Sequence, residues 1–221
     1  MVDGPMIALF LVVPAIGVGL FIYSHYYSRD AITRRTLAQA PKRAVAEATH
    51  GQLVRLGGRA QLFQESLQAP LSGRPCVHYL LVVEEYRSSG KSGRWVEVIR
   101  EEVSVDFLLR DASGAARVRM GGARVDIARD RSARSGTFDD ATPIEAAILE
   151  RHGIDKTTFF GFNRKHRYHE GVLELDENVT VLGVAQPGAD AHRVVIDAPP
   201  SSQVLVSDDP DTVRAGSSAR T

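Results

Sequence analysis

The sequence predicts a mostly β domain with one inserted helix, built as an OB-like or irregular β-barrel or as a β-sandwich, and preceded by a single N-terminal transmembrane helix. Three observations support this fold class. Several segments alternate apolar and polar residues with a period of two, as half-buried strands do. Turn-forming residues separate these segments. Residues 6–23 carry no charge.

The uncharged segment, "MIALFLVVPAIGVGLFIY", is long enough to cross a bilayer. As a helix it would extend about 27 Å, close to the thickness of the hydrocarbon core. Only Asp3 precedes it as a charged residue, so the basic start of a cleaved signal peptide is missing. A buried core helix is the alternative. We predict a short external N-terminus over 1–5 and a membrane helix over 6–24.

The basic residues that flank this helix all lie on its C-terminal side, which places a linker over 25–48 and the following domain in the cytoplasm. Two roles are open for these basic residues: contact with anionic lipid headgroups, or exposure to solvent in a short stalk. Ala15 and Gly19 have the small-residue spacing that lets two such helices pack as a homodimer. The flanking residues are Arg29, Arg34, Arg35, Lys42 and Arg43.

Residues 49–207 are predicted to form the β domain. Residues 76–86, with an unbroken apolar run over 79–83, have the length and composition expected for a strand buried on both faces. The apolar parity changes at Gly121-Gly122, where we expect a bulge or a sharp bend. Alternation predicts strands that bury Val54, Leu56, Ala60 and Leu62, then Val103, Val105, Phe107 and Leu109, then Ala116, Val118 and Met120, with further strands at 171–176, 178–185, 192–197 and 203–207.

The inserted helix is predicted from "TPIEAAILERHG". Thr142 is placed as its N-cap and Glu145 completes a capping box. The predicted buried stripe comprises Ile144, Ala147 and Ile148. The polar tail over 208–221 is predicted to be disordered.

The composition excludes two classes of function. Basic and acidic residues balance at 27 each, so the basic excess of a nucleic-acid-binding protein is missing. One cysteine cannot form an intramolecular disulfide or a multi-cysteine zinc site. We expect no cofactor.

The only cysteine, Cys76, lies two residues before His78 and would share a strand face with it. A catalytic thiol needs a base within hydrogen-bond reach and a lowered pKa. Free cysteine is also among the most buried residue types, and an apolar run follows this one. We therefore favour a core strand and keep Cys76 and His78 as catalytic candidates.

A second cluster lies in "RKHRYHEG", where His166, His169 and Glu170 are candidates for metal binding or, more simply, for a solvated strand entrance. The same region supplies a candidate partner-binding surface of aromatic and basic residues. Burial of the aromatics inside the domain is the alternative. The partner-binding candidates are Phe159, Phe160, Phe162, Arg164, Lys165 and Arg167.

Six segments occur in a fixed order along the chain: "GQLVRLGGRAQ", "APLSGRPCVHYLLVVEE", "RW", "VDFLLRDASGAARV", "RYHEGVLELDENVTVLGVA" and "VLVSDD". This ordered series resembles the GIDE domain, the non-RING part of the membrane-bound mitochondrial-type E3 ubiquitin ligases, which also occurs in prokaryotic membrane proteins. The ligases use a C-terminal RING with about eight Cys and His ligands, and residues 208–221 contain neither residue type. The resemblance therefore implies the tethered, partner-binding part of the architecture without the transfer module.

Two functions follow as hypotheses. The first is a membrane-anchored interaction module that binds an unknown membrane-proximal protein. The second is an enzyme or accessory subunit, either an E3 ubiquitin transferase-like protein or one with a thiol and histidine site around Cys76. Binding of a small ligand in the barrel is a weaker third possibility.

Overall fold

The computed structural model describes residues 33, 36–37, 39–89, 92–127, 129–135, 141–154, 165–188 and 194–214. Its strands are β1 (Lys42–Arg43), β2 (Leu53–Leu62), β3 (Leu67–Gln68), β4 (Pro75–Ser89), β5 (Ser92–Ser104), β6 (Phe107–Arg110), β7 (Ala115–Val118), β8 (Arg124–Asp126), β9 (Arg129–Ser135), β10 (His166–Glu174), β11 (Asn178–Pro187), β12 (Val194–Asp197) and β13 (Leu205–Ser207). The helices are a 3-10 turn (Val45–Glu47), α1 (Pro143–Arg151) and α2 (Pro210–Arg214).

Five strands close into a barrel in the order β2-β6-β7-β12-β11, because β11 pairs with β2 as well as with β12. The β7–β12 pair is parallel and the other four pairs of the ring are antiparallel. The barrel alternative of the predicted fold is thus confirmed. Alternate side chains of these strands fill the interior, as Leu56, Phe107, Val118, Val181 and Ile196 do with no exposed surface.

Two details of the barrel explain its closure. A Cβ atom on Gly183 would lie 2.5 Å from Cγ2 of Ile196 and 2.8 Å from the carbonyl oxygen of Asp197, so only glycine lets β11 approach β12 there. Gly122 adopts a φ of 72° in the turn before β8, which agrees with the sharp bend predicted at Gly121-Gly122. Leu62 was predicted to be buried but is 47% exposed, because it ends β2 at the rim.

A second sheet extends from the barrel. It has the order β3-β4-β10-β9, with β5 paired to β4 as a long hairpin. Helix α1 covers one face of this sheet, where Ile148 and Leu149 pack with Leu81, Ile99 and Tyr168. The opposite face of the β4–β5–β10 strands carries charged and aromatic side chains.

Helix α1 begins as predicted, since the Thr142 hydroxyl accepts from the Glu145 amide and the Glu145 carboxylate accepts from the Thr142 amide. The predicted buried stripe is wrong at two of its three positions. Ile144 is 52% exposed and Ala147 is exposed, whereas Leu149 is buried beside Ile148. The buried face of α1 is therefore rotated by about one residue from the predicted stripe, because Glu145 is buried where it completes the cap.

The segments on either side of the barrel pack against it. Leu37 and Val45 are buried, so the C-terminal part of the predicted 25–48 linker is not a solvated stalk. Residues 208–214 were predicted to be disordered, but α2 forms there with Thr212 buried. The buried Arg55 guanidinium donates to the carbonyl oxygens of Ala40 and Thr212 and joins both segments to β2.

Within the described ranges, no helix has the length and apolar character that crossing a membrane requires. The predicted membrane helix over 6–24 lies outside these ranges, as do Arg29, Arg34 and Arg35.

Candidate functional site

Cys76 follows the first residue of β4 and has no exposed surface, as the apolar run predicts for a core strand. Its Sγ lies 3.8 Å from the carbonyl oxygen of Leu67 across the β3–β4 pair. Burial, then the nearby Glu170 carboxylate, raises the pKa of the thiol to about 11. This environment favours the neutral thiol, which is a poor nucleophile.

His78 shares the sheet with Cys76 but is engaged elsewhere. Its Nδ1 lies 2.7 Å from the hydroxyl of Ser104 on β5, and its ring is 1% exposed. Burial lowers the pKa of His78 to about 4, so the imidazole is neutral near pH 7. The structure therefore shows a structural hydrogen bond in the sheet, and no base is drawn toward the thiol.

We expect Cys76 to resist alkylation in the folded protein. At pH 8 a thiol with a pKa near 11 holds about one hundredfold less thiolate than an ordinary cysteine, and burial slows the reaction further. Iodoacetamide labelling followed by mass spectrometry measures the alkylation rate of the folded protein and that of the protein unfolded in about 6 M guanidinium. Comparable rates in the two samples would contradict the buried assignment.

The residues of the second cluster do not converge. Successive side chains of a strand point to opposite faces, so His166 and Glu170 lie on the helix-covered face of β10 and His169 lies on the other. His166 was predicted at a solvated entrance but is 1% exposed, with Nε2 3.8 Å from Oε2 of Glu85. Among the described residues, no group of three or more potential metal ligands comes together.

Glu170 has a structural role that sequence reasoning did not assign. Its carboxylate, with no exposed surface, accepts from the backbone amides of Leu71 at 2.6 Å and Ser72 at 3.1 Å. It therefore fixes the "PLSG" turn that precedes β4. Gly73, with a φ of 70°, donates its amide to the Ala69 carbonyl and completes the turn.

The open face of the β4–β5–β10 sheet carries a surface that we call the hairpin face, formed by Glu84, Tyr86, Trp95, Lys165, Arg167 and His169. The Arg167 guanidinium lies 4.6 Å from the centre of the Trp95 ring. It also donates to both carboxylate oxygens of Glu84, one of them at 2.9 Å from Nη2. A planar guanidinium held both by a carboxylate and by a ring is fixed in one orientation.

The aromatic residues of the hairpin face support each other. The rings of Tyr86 and Trp95 meet edge to face with 5.4 Å between centroids, and Nζ of Lys165 lies 6.0 Å from the Tyr86 centroid. Tyr86 is 39% exposed and Lys165 is exposed, so the cluster is accessible from solvent. Nε2 of His169 lies 3.4 Å from the Glu84 carboxylate and borders the same surface.

Two of the six partner-binding candidates, Lys165 and Arg167, belong to the hairpin face. The other four, Phe159, Phe160, Phe162 and Arg164, lie outside the described residues. Sequence reasoning did not assign Trp95 and Tyr86 to this surface, although the hairpin turn between them could have indicated that their strands pair. Of the membrane-flanking candidates, Lys42 and Arg43 form β1, and Nζ of Lys42 lies 3.4 Å from the Val213 carbonyl oxygen.

Comparison with known proteins identifies a family. The family model GIDE, described as E3 ubiquitin ligase, matches residues 81–212, which is more than half of the chain. It begins inside β4, so β2 of the barrel precedes the matched region. No curated protein matches the chain, and no solved structure does so either.

Proposed function

The chain belongs to the GIDE family of E3 ubiquitin ligase domains, and from this premise we propose that it is a membrane-anchored protein-interaction module that binds a partner through the hairpin face. Residues 6–24 anchor it in the bilayer, where Ala15 and Gly19 allow a second copy to pack, and the β domain faces the cytoplasm. The partner is a membrane-proximal protein. The ordered Arg167–Trp95 stack carries the proposal.

The chemistry of the hairpin face fits protein recognition. Interface hot spots are enriched in Trp, Tyr and Arg, and all three residue types meet here. Holding these side chains in place before binding lowers the entropy lost when a partner docks. Lys165 is exposed beside the Tyr86 ring, and its positive charge favours an acidic partner segment.

A transfer reaction has less support in these residues. A RING needs about eight Cys and His ligands around two zinc ions, whereas among the described residues no group of three or more potential metal ligands comes together. Cys76 is buried in the sheet. The proposed part in ubiquitin transfer is therefore to hold a partner near the membrane.

We expect a photo-crosslinker in place of the exposed Tyr86 to capture a discrete partner in native membranes. The matched control has the same crosslinker in place of Leu62, which is exposed on the barrel rim away from the hairpin face. Arg167→Glu should abolish the adduct, because it places two carboxylates together beside Trp95. The charge reversal Arg110→Glu on the exposed surface of β6 should leave it intact.

Far-UV circular dichroism and the thermal unfolding midpoint report whether each variant is folded, because replacing Arg167 changes the surroundings of the Trp95 ring directly. An adduct of the same size from both crosslinker positions, or one that survives Arg167→Glu in a folded protein, would rule out the hairpin face as the docking surface.

A further inference from the structure

A pocket lies where β8 pairs with β13, away from the hairpin face. Its volume is about 490 Å³. Its lining includes Arg124, Ser201, Ser202 and Gln203, together with Leu205 and the threonines Thr33 and Thr36. No acidic residue is among the described residues that line it.

Arg124 is the distinctive residue of this pocket. The backbone fixes its position, since its amide donates to the Val204 carbonyl oxygen at 2.7 Å and it pairs with Leu205 in register. Its Nη2 atom is buried and has no hydrogen-bond partner among the described residues. A buried guanidinium nitrogen without a partner is costly, so such a group indicates a missing acceptor.

The neighbouring carboxylate does not supply this acceptor. Asp126 lies two residues along β8, is buried, and has the hydroxyl of Ser207 3.3 Å from its Oδ2. It is not among the residues that line the pocket.

We propose that this pocket binds a phosphate group. A guanidinium fork matches the geometry of phosphate oxygens, and the hydroxyls of the exposed Ser201 and Ser202 are donors for the oxygens that remain. The pocket is also wide enough for a phosphate with the substituent that bears it. Gln203 supplies an amide that discriminates between substituents.

Two sources carry this chemistry, the headgroup of an anionic phospholipid and a free phosphate. Thr33 lies nine residues after the predicted membrane segment, a distance of at most about 30 Å when extended. The lipid source rests on the membrane anchoring in the proposed function, whereas the phosphate site itself does not depend on it.

The test uses the full chain in neutral detergent micelles and in nanodiscs. In the first arm, inorganic phosphate is titrated by calorimetry into the micellar protein. In the second arm, nanodiscs of phosphatidylcholine with and without phosphatidic acid are compared by the thermal unfolding midpoint. Arg124→Gln is compared with Arg119→Gln, which removes the same charge from an exposed arginine paired with Asp197.

We expect Arg124→Gln to weaken phosphate binding about tenfold or more, since a charge-assisted bond is lost, and Arg119→Gln to leave it unchanged. Binding in the first arm supports the site with free phosphate as a ligand. A shift seen only with phosphatidic acid and lost in Arg124→Gln supports it with lipid as the source.

Equal effects of the two substitutions, or no Arg124-dependent change in either arm, would overturn the proposal. If Arg124→Gln does not fold, Ser202→Glu serves as the second variant, because Ser202 is exposed at the pocket and the new carboxylate repels an anion. Undiminished binding by folded Ser202→Glu would equally overturn it. These outcomes are independent of the crosslinking result at the hairpin face.

Discussion

Replacement of Glu170 with alanine is expected to lower the free energy of unfolding by about 3–5 kcal/mol. The substitution removes two charge-assisted hydrogen bonds and leaves the amides of Leu71 and Ser72 without an acceptor in a buried site. A typical domain is stable by only about 5–15 kcal/mol. Urea unfolding followed by Trp95 emission measures the loss, and hydrogen exchange should quicken at the two amides.

The matched control is Glu174→Ala, four residues along the same strand. Glu174 forms an ion pair with Arg74 in which both side chains are about one-third exposed, so its loss should cost less than about 1 kcal/mol. Equal losses in the two variants would show that the Glu170 carboxylate does not fix the "PLSG" turn.

Acidification from pH 7.5 to 4.5 is expected to destabilise the protein by about 2–3 kcal/mol through His78 alone. Its folded pKa of about 4 lies below the unfolded value near 6.5. The unfolded chain therefore takes up a proton that the folded protein does not, and stability is lost as the pH falls from 6.5 toward 4. Denaturant titrations at several pH values across this window give the slope.

His78→Asn is the control, because an amide keeps a polar partner for Ser104 and does not titrate. Its stability should fall by about 2–3 kcal/mol less than that of the unsubstituted protein between pH 7.5 and 4.5. Hydrogen bonding holds the pKa of Glu101 and Asp111 below their usual range, so these carboxylates contribute at lower pH. An unchanged slope in His78→Asn would assign the acid sensitivity to another group.

The strands were predictable because they bury side chains on one parity. Val54, Leu56 and Ala60 on β2, Ala116 and Val118 on β7, and Met120 just after β7 are all buried in the barrel core as predicted. Closure of the ring was not predictable, because it depends on pairing Leu53 with Val184 across more than half of the chain. Periodicity reports burial within one segment and contains no information about which segments meet.

The candidate site was predicted only in part for a related reason. Lys165 and Arg167 were recognised as a local basic cluster. The ring that orients Arg167, however, belongs to Trp95 on β5, and strand β4 lies between β5 and the β10 strand of Arg167. Conversely, His166 and His169 are close in sequence and face opposite sides of the sheet. Contacts across strands assemble this surface. A prediction from spacing along the chain therefore placed His166 in solvent and did not include Trp95.

Closure of the barrel also has a consequence for biosynthesis. Its first strand begins at Leu53 and its last ends at Asp197, so the ribosome must add 144 further residues before the ring can form. At about 5–20 residues per second this takes about 7–30 s. Once β7 has been made, β2 and β7 present unpaired edges of the kind that aggregate until β11 and β12 follow. We therefore expect the yield of native protein to depend on chaperones that shield the nascent chain.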